Sequence, residues 1–213
     1  MSKHIPEGGI RCLKDAEQFL LATSSKRNSV SKLMKCLEDS PKPWTTKYWK
    51  DERRRVIGNR CNSCNTEKGP MVLQHKWHRL SLWDATTLAT IHLAKKDGKD
   101  IELERWYGSA RDSARVLAGR IRKDNEWHDR KKNDIDRLAL KIVAEEAVKY
   151  WSMLLTTTEC KRCAFLWDKR PDMLLREKET EEERLAFVKT HPSLVNGKRM
   201  LNGLLDFPLG DLW

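Results

Sequence analysis

Two Cys-x-x-Cys pairs are the residues of this chain whose type and spacing most clearly indicate chemistry. The pairs are Cys61-Asn-Ser-Cys64 and Cys160-Lys-Arg-Cys163, and 95 residues separate them. Each pair can hold a metal ion from one tight turn, and two pairs supply the four thiolates of a closed tetrahedral zinc site. We therefore expect one structural Zn²⁺ ion that joins two distant parts of the chain.

A run with two histidines follows the first cysteine pair. The run is Met71-Val-Leu-Gln-His-Lys-Trp-His78, and its first three residues have the character of a β-strand. Histidine titrates near neutral pH, so the question is whether the zinc only holds the fold or also presents a catalytic histidine. An alternative remains open, in which His75 or His78 completes a separate metal site with Cys61 and Cys64.

Size, charge and composition limit the classes of protein to consider. The chain has 213 residues, a net charge of +11 and a sequence pI of about 9.4. This length is sufficient for one good core, and this charge favours a polyanionic partner such as nucleic acid. The N-terminus has no apolar signal region and no segment is long and apolar enough to span a bilayer, so we expect no membrane association. We expect a cytoplasmic protein that is not secreted, in which Cys-x-x-Cys pairs bind metal rather than form disulfides.

Hydrophobic periodicity predicts a mainly helical chain of the α+β class with a small zinc-stapled β-hairpin. The helices are predicted over residues 10–23, 30–38, 46–57, 84–96, 101–123 and 134–155. The knuckle and the hairpin are expected within residues 59–78, and 127–133 is expected to be a polar link. Trp106 is expected on the core side of its helix, and Leu154 in the apolar stripe of the last one.

These elements suggest three regions. The N-terminal helices occupy residues 1–58, the zinc-bound module occupies 59–170 with a helical insertion at 81–157, and a helical extension and tail occupy 171–213. The tail, Phe207 to Trp213, is apolar for a chain end. We expect it to dock on the core or to bind a protein partner.

Two groups of arginines are candidates for contacts with phosphate. Arg53 and Arg54 belong to a basic cluster just before the first cysteine pair, and Arg111, Arg115 and Arg122 recur at helical spacing. The planar guanidinium group matches the oxygens of a phosphate, which suits a nucleic-acid backbone. The alternative is that both groups are simply solvated helix faces.

The order of these motifs resembles the HNH (ββα-metal) endonuclease family in its treble-clef zinc form. The resemblance rests on Cys61, Cys64, Leu73-Gln74-His75, Cys160 and Cys163, and it covers about 60–80 and 158–170. It implies a structural zinc ion, His75 as general base and a catalytic Mg²⁺ or Mn²⁺ ion. It also implies a DNA partner in preference to RNA, and an origin in phages or bacterial mobile elements.

The chain departs from the family pattern at its metal-binding positions, so the resemblance is to a degenerate site. Gln74 stands where the family has an acidic or imidazole ligand, and Ala164 stands where His or Asn is common. A rebuilt catalytic metal site would use Gln74, His78 and Asp168. A second hypothesis is a catalytically inactive zinc adaptor that binds nucleic acid or a host protein and regulates it. A third is a subunit of a larger nucleoprotein machine.

Overall fold

A computed structural model describes residues 4–99, 102–103 and 105–205 and shows a mainly helical α+β fold. The predicted tail at 207–213 lies outside these ranges. The helices of the described residues are α1 (Leu13–Thr23), α2 (Val30–Glu38), α3 (Lys47–Val56), α4 (Leu82–Lys96), α5 (Ala110–Arg122), α6 (Asn125–Trp151), α7 (Lys161–Lys169), α8 (Pro171–Arg176), α9 (Glu181–Thr190) and α10 (Pro192–Asn202). None of these helices is both long and apolar enough to cross a membrane.

The sheet pairs two strands that are far apart in the sequence. Strand β1 (Met71–His75) lies antiparallel to β2 (Thr156–Cys160), in a register that pairs Met71 with Cys160. The prediction of a hairpin within residues 59–78 is therefore wrong, because this segment contributes only one strand. The residues before β1 form a turn instead, in which the Asn65 amide donates to the Cys61 carbonyl and the Asn62 amide donates to that of Thr158.

The insertion between the two strands folds as α4, α5 and α6, and two of its predicted boundaries are wrong. Helix α5 begins only at Ala110, where Ser109 caps it, and Trp106 is 59% exposed rather than in the core. Helix α6 begins at Asn125, so residues 127–133 are helical and not a polar link. Asp124 accepts a hydrogen bond from the Trp127 amide, which satisfies a free N–H group of the first turn.

The end of α6 also differs from the prediction. The helix ends at Trp151, and Met153 takes a left-handed conformation with φ of 58°. Leu154, predicted in the apolar stripe, is consequently 81% exposed. The chain then enters β2 and reaches the second cysteine pair.

Helix α6 borders two adjoining hydrophobic cores. One side packs on α4 and α5 around Leu88, Ile91 and Ile135. The other packs on α1 and α2 around Phe19, Leu33 and Trp151. Residues of both cores recur along the 27 residues of α6, so one long helix connects the N-terminal helices with the insertion. The strand pair extends from the C-terminal end of this helix.

The last helix closes the insertion from the other side. Helix α10 packs on α4 and α5, and its Gly197 is so close to α5 that an added Cβ would lie 3.0 Å from the Arg111 amide nitrogen. Gly203 ends α10 in the left-handed conformation that glycine tolerates best. The chain segment after the second cysteine pair therefore returns to the insertion and is part of the same packed structure.

Candidate metal centre and the adjoining polar site

The four cysteines converge on one site. The Sγ atoms of Cys61, Cys64, Cys160 and Cys163 all lie within 4.8 Å of one another. The Cys64 and Cys160 Sγ atoms are 3.8 Å apart, and a tetrahedron with Zn–S bonds of about 2.3 Å has edges of about 3.8 Å. The donor set and its dimensions fit a structural zinc ion. The alternative of two half-sites completed by histidine does not fit this arrangement.

The strand register explains how residues so far apart in sequence meet. Cys160 ends β2 directly opposite Met71. Helix α7 begins at the next residue, Lys161, and carries Cys163 in its first turn. Cys61 and Cys64 lie on the turn whose Asn62 amide is bonded to β2. Across the described residues, no other group of three or more His, Cys, Asp or Glu side chains is close enough to hold a metal ion.

The surroundings of the cluster shift the pKa values of Cys160 and Cys61 in opposite directions. The backbone N–H of Cys163 donates to the Cys160 sulfur, and together with the neighbouring thiols it lowers the pKa of Cys160 to about 7. Burial raises the pKa of Cys61, whose thiol donates to the Glu159 carboxylate at 3.1 Å. Glu159 also accepts from Lys76 at 2.9 Å, so a paired carboxylate lies directly beside the cysteine cluster.

A second polar site lies where β1 and its following loop face α7. The Gln74 side-chain amide donates to Asp168 Oδ1 at 2.7 Å, and His78 Nε2 lies 3.0 Å from the same oxygen. The structure thus brings together the three residues predicted for a second metal. Partial burial opposes ionisation of Asp168, but the hydrogen bonds from His78 and Gln74 outweigh it and hold the pKa of this carboxyl below its usual range.

His75 points to the other side of β1 and is buried. Its ring stacks on Tyr150 at 4.0 Å between centroids and on Trp49 at 5.2 Å, and only 8% of the residue is exposed. His75 Nε2 lies 3.2 Å from the Tyr150 carbonyl oxygen. Burial lowers the pKa of His75 to about 4, so the ring is neutral at physiological pH. Its contacts join the N-terminal helices, β1 and α6.

The burial of His75 predicts a loss of stability in acid. The unfolded chain binds a proton to this ring near pH 6.5, whereas the folded chain does so only near pH 4. The contribution is present above pH 6.5 and is lost as the pH falls towards 4, and it amounts to about 3 kcal/mol. Urea unfolding at pH 7 and pH 4.5 measures the change. The His75→Phe variant keeps an aromatic ring in the stack and should lose less stability between these two pH values. An equal loss in both proteins would contradict this assignment.

The C-terminal helices hold the loop that carries His78. The Asn196 side-chain amide of α10 donates to the His78 carbonyl at 2.6 Å. Two residues after His78, the Leu80 amide donates to the buried carboxylate of Glu146 at 2.9 Å, and Arg199 donates to the other oxygen of that carboxylate at 2.9 Å. Sequence reasoning missed Asn196, Glu146 and Arg199. For Glu146 and Arg199 the available signal was a charged residue on an otherwise apolar face of α6 and of α10.

The predicted phosphate-binding arginines have different environments. Arg53 donates to the Met71 carbonyl and so supports β1, while Arg54 is exposed beside Asp51. Arg111 and Arg115 both donate to the Asp84 carboxylate, and their side chains remain about 40% exposed. Arg122 lies over the ring of Trp83. The α5 arginines are therefore partly exposed and held by fixed partners.

Comparison with known proteins finds no relative. No family model matches the chain, and no curated protein or solved structure matches it significantly. The resemblance to the HNH family therefore stays an expectation from the sequence motifs of this chain.

Proposed function

We propose that this chain is an HNH-like, zinc-stabilised protein that binds DNA and hydrolyses its phosphodiester bonds. The proposal is supported above all by one observation, the succession of cysteine turn, β1, β2 and α7 with the four thiols at one end. This succession resembles that of a treble-clef ββα unit, with the helical insertion placed between its two strands. Gln74, His78 and Asp168 line the interface between strand and helix, where that family has its reacting groups.

The geometry favours His78 over His75 as the reacting histidine. The His78 side chain is 31% exposed and is hydrogen-bonded to a carboxylate, whereas His75 is buried among aromatic rings. A carboxylate that accepts from one ring nitrogen orients the imidazole, and the other nitrogen can then take a proton from an attacking water. In this proposal His78 is the general base, Asp168 orients it, and His75 supports the fold.

Asp168 is also the group best suited to hold a divalent ion. Its side chain is 40% exposed, and carboxylate oxygens are the ligands that Mg²⁺ and Mn²⁺ prefer. Such an ion, when bound, would stabilise negative charge on the phosphate and on the leaving oxygen. Gln74 can contribute only a neutral amide oxygen, and its Nε2 now donates to the carboxylate.

That contact of Gln74 favours a second candidate function. The Gln74 amide donates to Asp168 Oδ1, an oxygen that would remain available for metal if an acidic or imidazole ligand stood at position 74. The Gln74–Asp168 pair can therefore be a stable structural contact. The chain would then be a non-catalytic zinc adaptor that binds nucleic acid through its basic surface. Both candidates require binding to a polyanion, which the net charge of +11 supports.

Cleavage of DNA in Mg²⁺ or Mn²⁺ tests the catalytic proposal. His78→Ala is expected to lower the rate about 100- to 10,000-fold, because it removes the proton acceptor. Asp168→Asn should lower it as well, while His128→Ala, a half-exposed histidine of α6, should not. Circular dichroism and zinc content must remain unchanged in the variants.

Two outcomes would redirect the proposal. Full activity in His78→Ala would remove this residue from the mechanism, and loss of activity only in a folded His75 variant would restore His75 as the base. Binding without any cleavage by the unmutated protein would favour the adaptor. In either case binding to DNA should weaken steeply as salt increases, since bound phosphates release counterions.

A further inference from the structure

A tryptophan on the surface of the insertion lies among arginines. Trp83 is in the first turn of α4 and is 59% exposed. The Arg122 guanidinium carbon lies 5.7 Å from the centre of its ring, within the range of a cation–π contact. The next residue, Asp84, is buried and accepts hydrogen bonds from Arg111 and Arg115. Two consecutive residues of α4 thus hold three arginines of α5.

A glycine opens the surface of α5 between two of these arginines. Gly119 follows Arg115 by four residues and precedes Arg122 by three, so all three share one face of the helix. A Cβ added at Gly119 would meet no atom within 4 Å. Glycine in the interior of a helix is less stable than alanine, and here no neighbouring element packs against it. Close packing of a neighbouring helix is therefore not the reason for a glycine at position 119.

The charge of this surface suits an anion. Arg111, Arg115 and Arg122 carry three positive charges, against two negative charges on Asp84 and Asp112. Both carboxylates are already bonded to arginine or serine side chains. Because Asp84 holds Arg115 in place and Arg122 lies over the ring of Trp83, less side-chain entropy is lost when these two arginines bind a phosphate.

We propose that Trp83, Arg115, Gly119 and Arg122 form a binding site for single-stranded nucleic acid. A base stacks on the Trp83 ring, and the adjoining phosphate lies over Gly119 between the two arginines. A regular duplex keeps its bases stacked inside and offers no base face to a protein ring, whereas an unpaired strand does. This inference depends on the proposed binding to nucleic acid and specifies which form of it is recognised.

Helix α10 contacts both the start of α5 and the loop that carries His78. Asn196 bonds to the carbonyl of His78, and the next residue, Gly197, packs directly on Ala110 and Arg111 of α5.

Fluorescence anisotropy with labelled oligonucleotides tests the site on the full chain loaded with zinc. The probes are oligo-dT, oligo-U and a mixed-sequence DNA duplex. Trp83→Ala should weaken binding to oligo-dT about 5- to 100-fold, as expected for loss of one stacked base, and should leave duplex binding nearly unchanged. The oligo-U arm shows whether an RNA strand is bound in the same way.

Two further variants control for stability and for exposure. Trp44 is also 59% exposed and lies beside Lys42, so Trp44→Ala should leave the affinity for oligo-dT unchanged. Gly119→Leu fills the opening with a good helix former, and it should weaken oligo-dT binding while the melting temperature stays equal or rises.

The results separate the two proposals. Duplex binding with no effect of Trp83→Ala on oligo-dT would overturn the single-strand site and leave the proposed function standing. Equal losses in Trp83→Ala and Trp44→Ala would also overturn it. No binding to any of the three probes would overturn both.

Discussion

Replacing Cys61 or Cys160 with serine is expected to abolish zinc binding and to unfold the unit formed by β1, β2 and α7. The four thiols come from a turn and from the strand–helix junction, and the two strands have only five residues each. A two-stranded sheet is marginal by itself, so the metal must supply most of the stability of this unit. Zinc binding to comparable four-ligand sites is worth about 10–16 kcal/mol.

Metal analysis and unfolding measure this effect. We expect one zinc ion per chain in the unmutated protein, and none in either serine variant or after chelation. The helical signal of α1 and α4 to α6 should partly survive, because none of the four cysteines of the cluster belongs to the two cores that these helices form. Cys12→Ser is the matched control, since Cys12 lies outside the cluster. A stable chain without metal, with β1 and β2 still protected from hydrogen exchange, would contradict a structural zinc ion.

Replacing Arg199 with methionine is expected to destabilise the protein by about 3–5 kcal/mol, because it leaves a buried carboxylate unpaired. The side chains of Glu146 and Arg199 are 1% and 8% exposed, and they lie 2.9 Å apart. Burial already raises the pKa of Glu146 despite this arginine, so the carboxylate depends on its partner to remain ionised. Urea unfolding at neutral pH measures the loss.

Two other variants show whether the loss comes from the unpaired charge. The Arg199→Met, Glu146→Gln double variant should recover part of the stability, since no buried charge remains. Lys132→Met breaks the exposed pair with Asp136 and should cost less than about 1 kcal/mol. A cost for Arg199→Met as small as that of Lys132→Met would contradict the assignment. The loop after His78 should become more mobile in the single variant, because Leu80 donates to the same carboxylate.

Part of the site was predictable because its chemistry is local. Cys-x-x-Cys spacing places two thiols on one turn regardless of the rest of the fold, and the four-cysteine cluster is confirmed as a site compatible with structural zinc. The expectation that Gln74, His78 and Asp168 meet is also consistent with their hydrogen bonds. Whether they hold a divalent ion stays a prediction, as do the role of His75 in catalysis and the binding of DNA.

Other features depended on distant partners and were not predictable. Gln74 and His75 are adjacent in β1, and alternation sends their side chains to opposite faces of the strand. Only the packing of α3 and α6 on one face makes His75 a buried, stacked ring, while α7 on the other face leaves Asp168 beside Gln74. The prediction of a local hairpin failed for a similar reason, because strand pairing is a long-range interaction that a short window of sequence does not contain.

The amino-acid sequence by itself determined the candidate zinc ligands, the helical class and the basic charge of this protein, because these follow from residue type and short-range spacing. The tertiary structure decided which residues share a surface. It paired β1 with a strand beyond an insertion of three helices, buried His75 and left His78 partly exposed. It also placed Trp83 beside the arginines of α5. Burial and long-range contact set the pKa and the accessibility of a side chain, and both are properties of the packed fold.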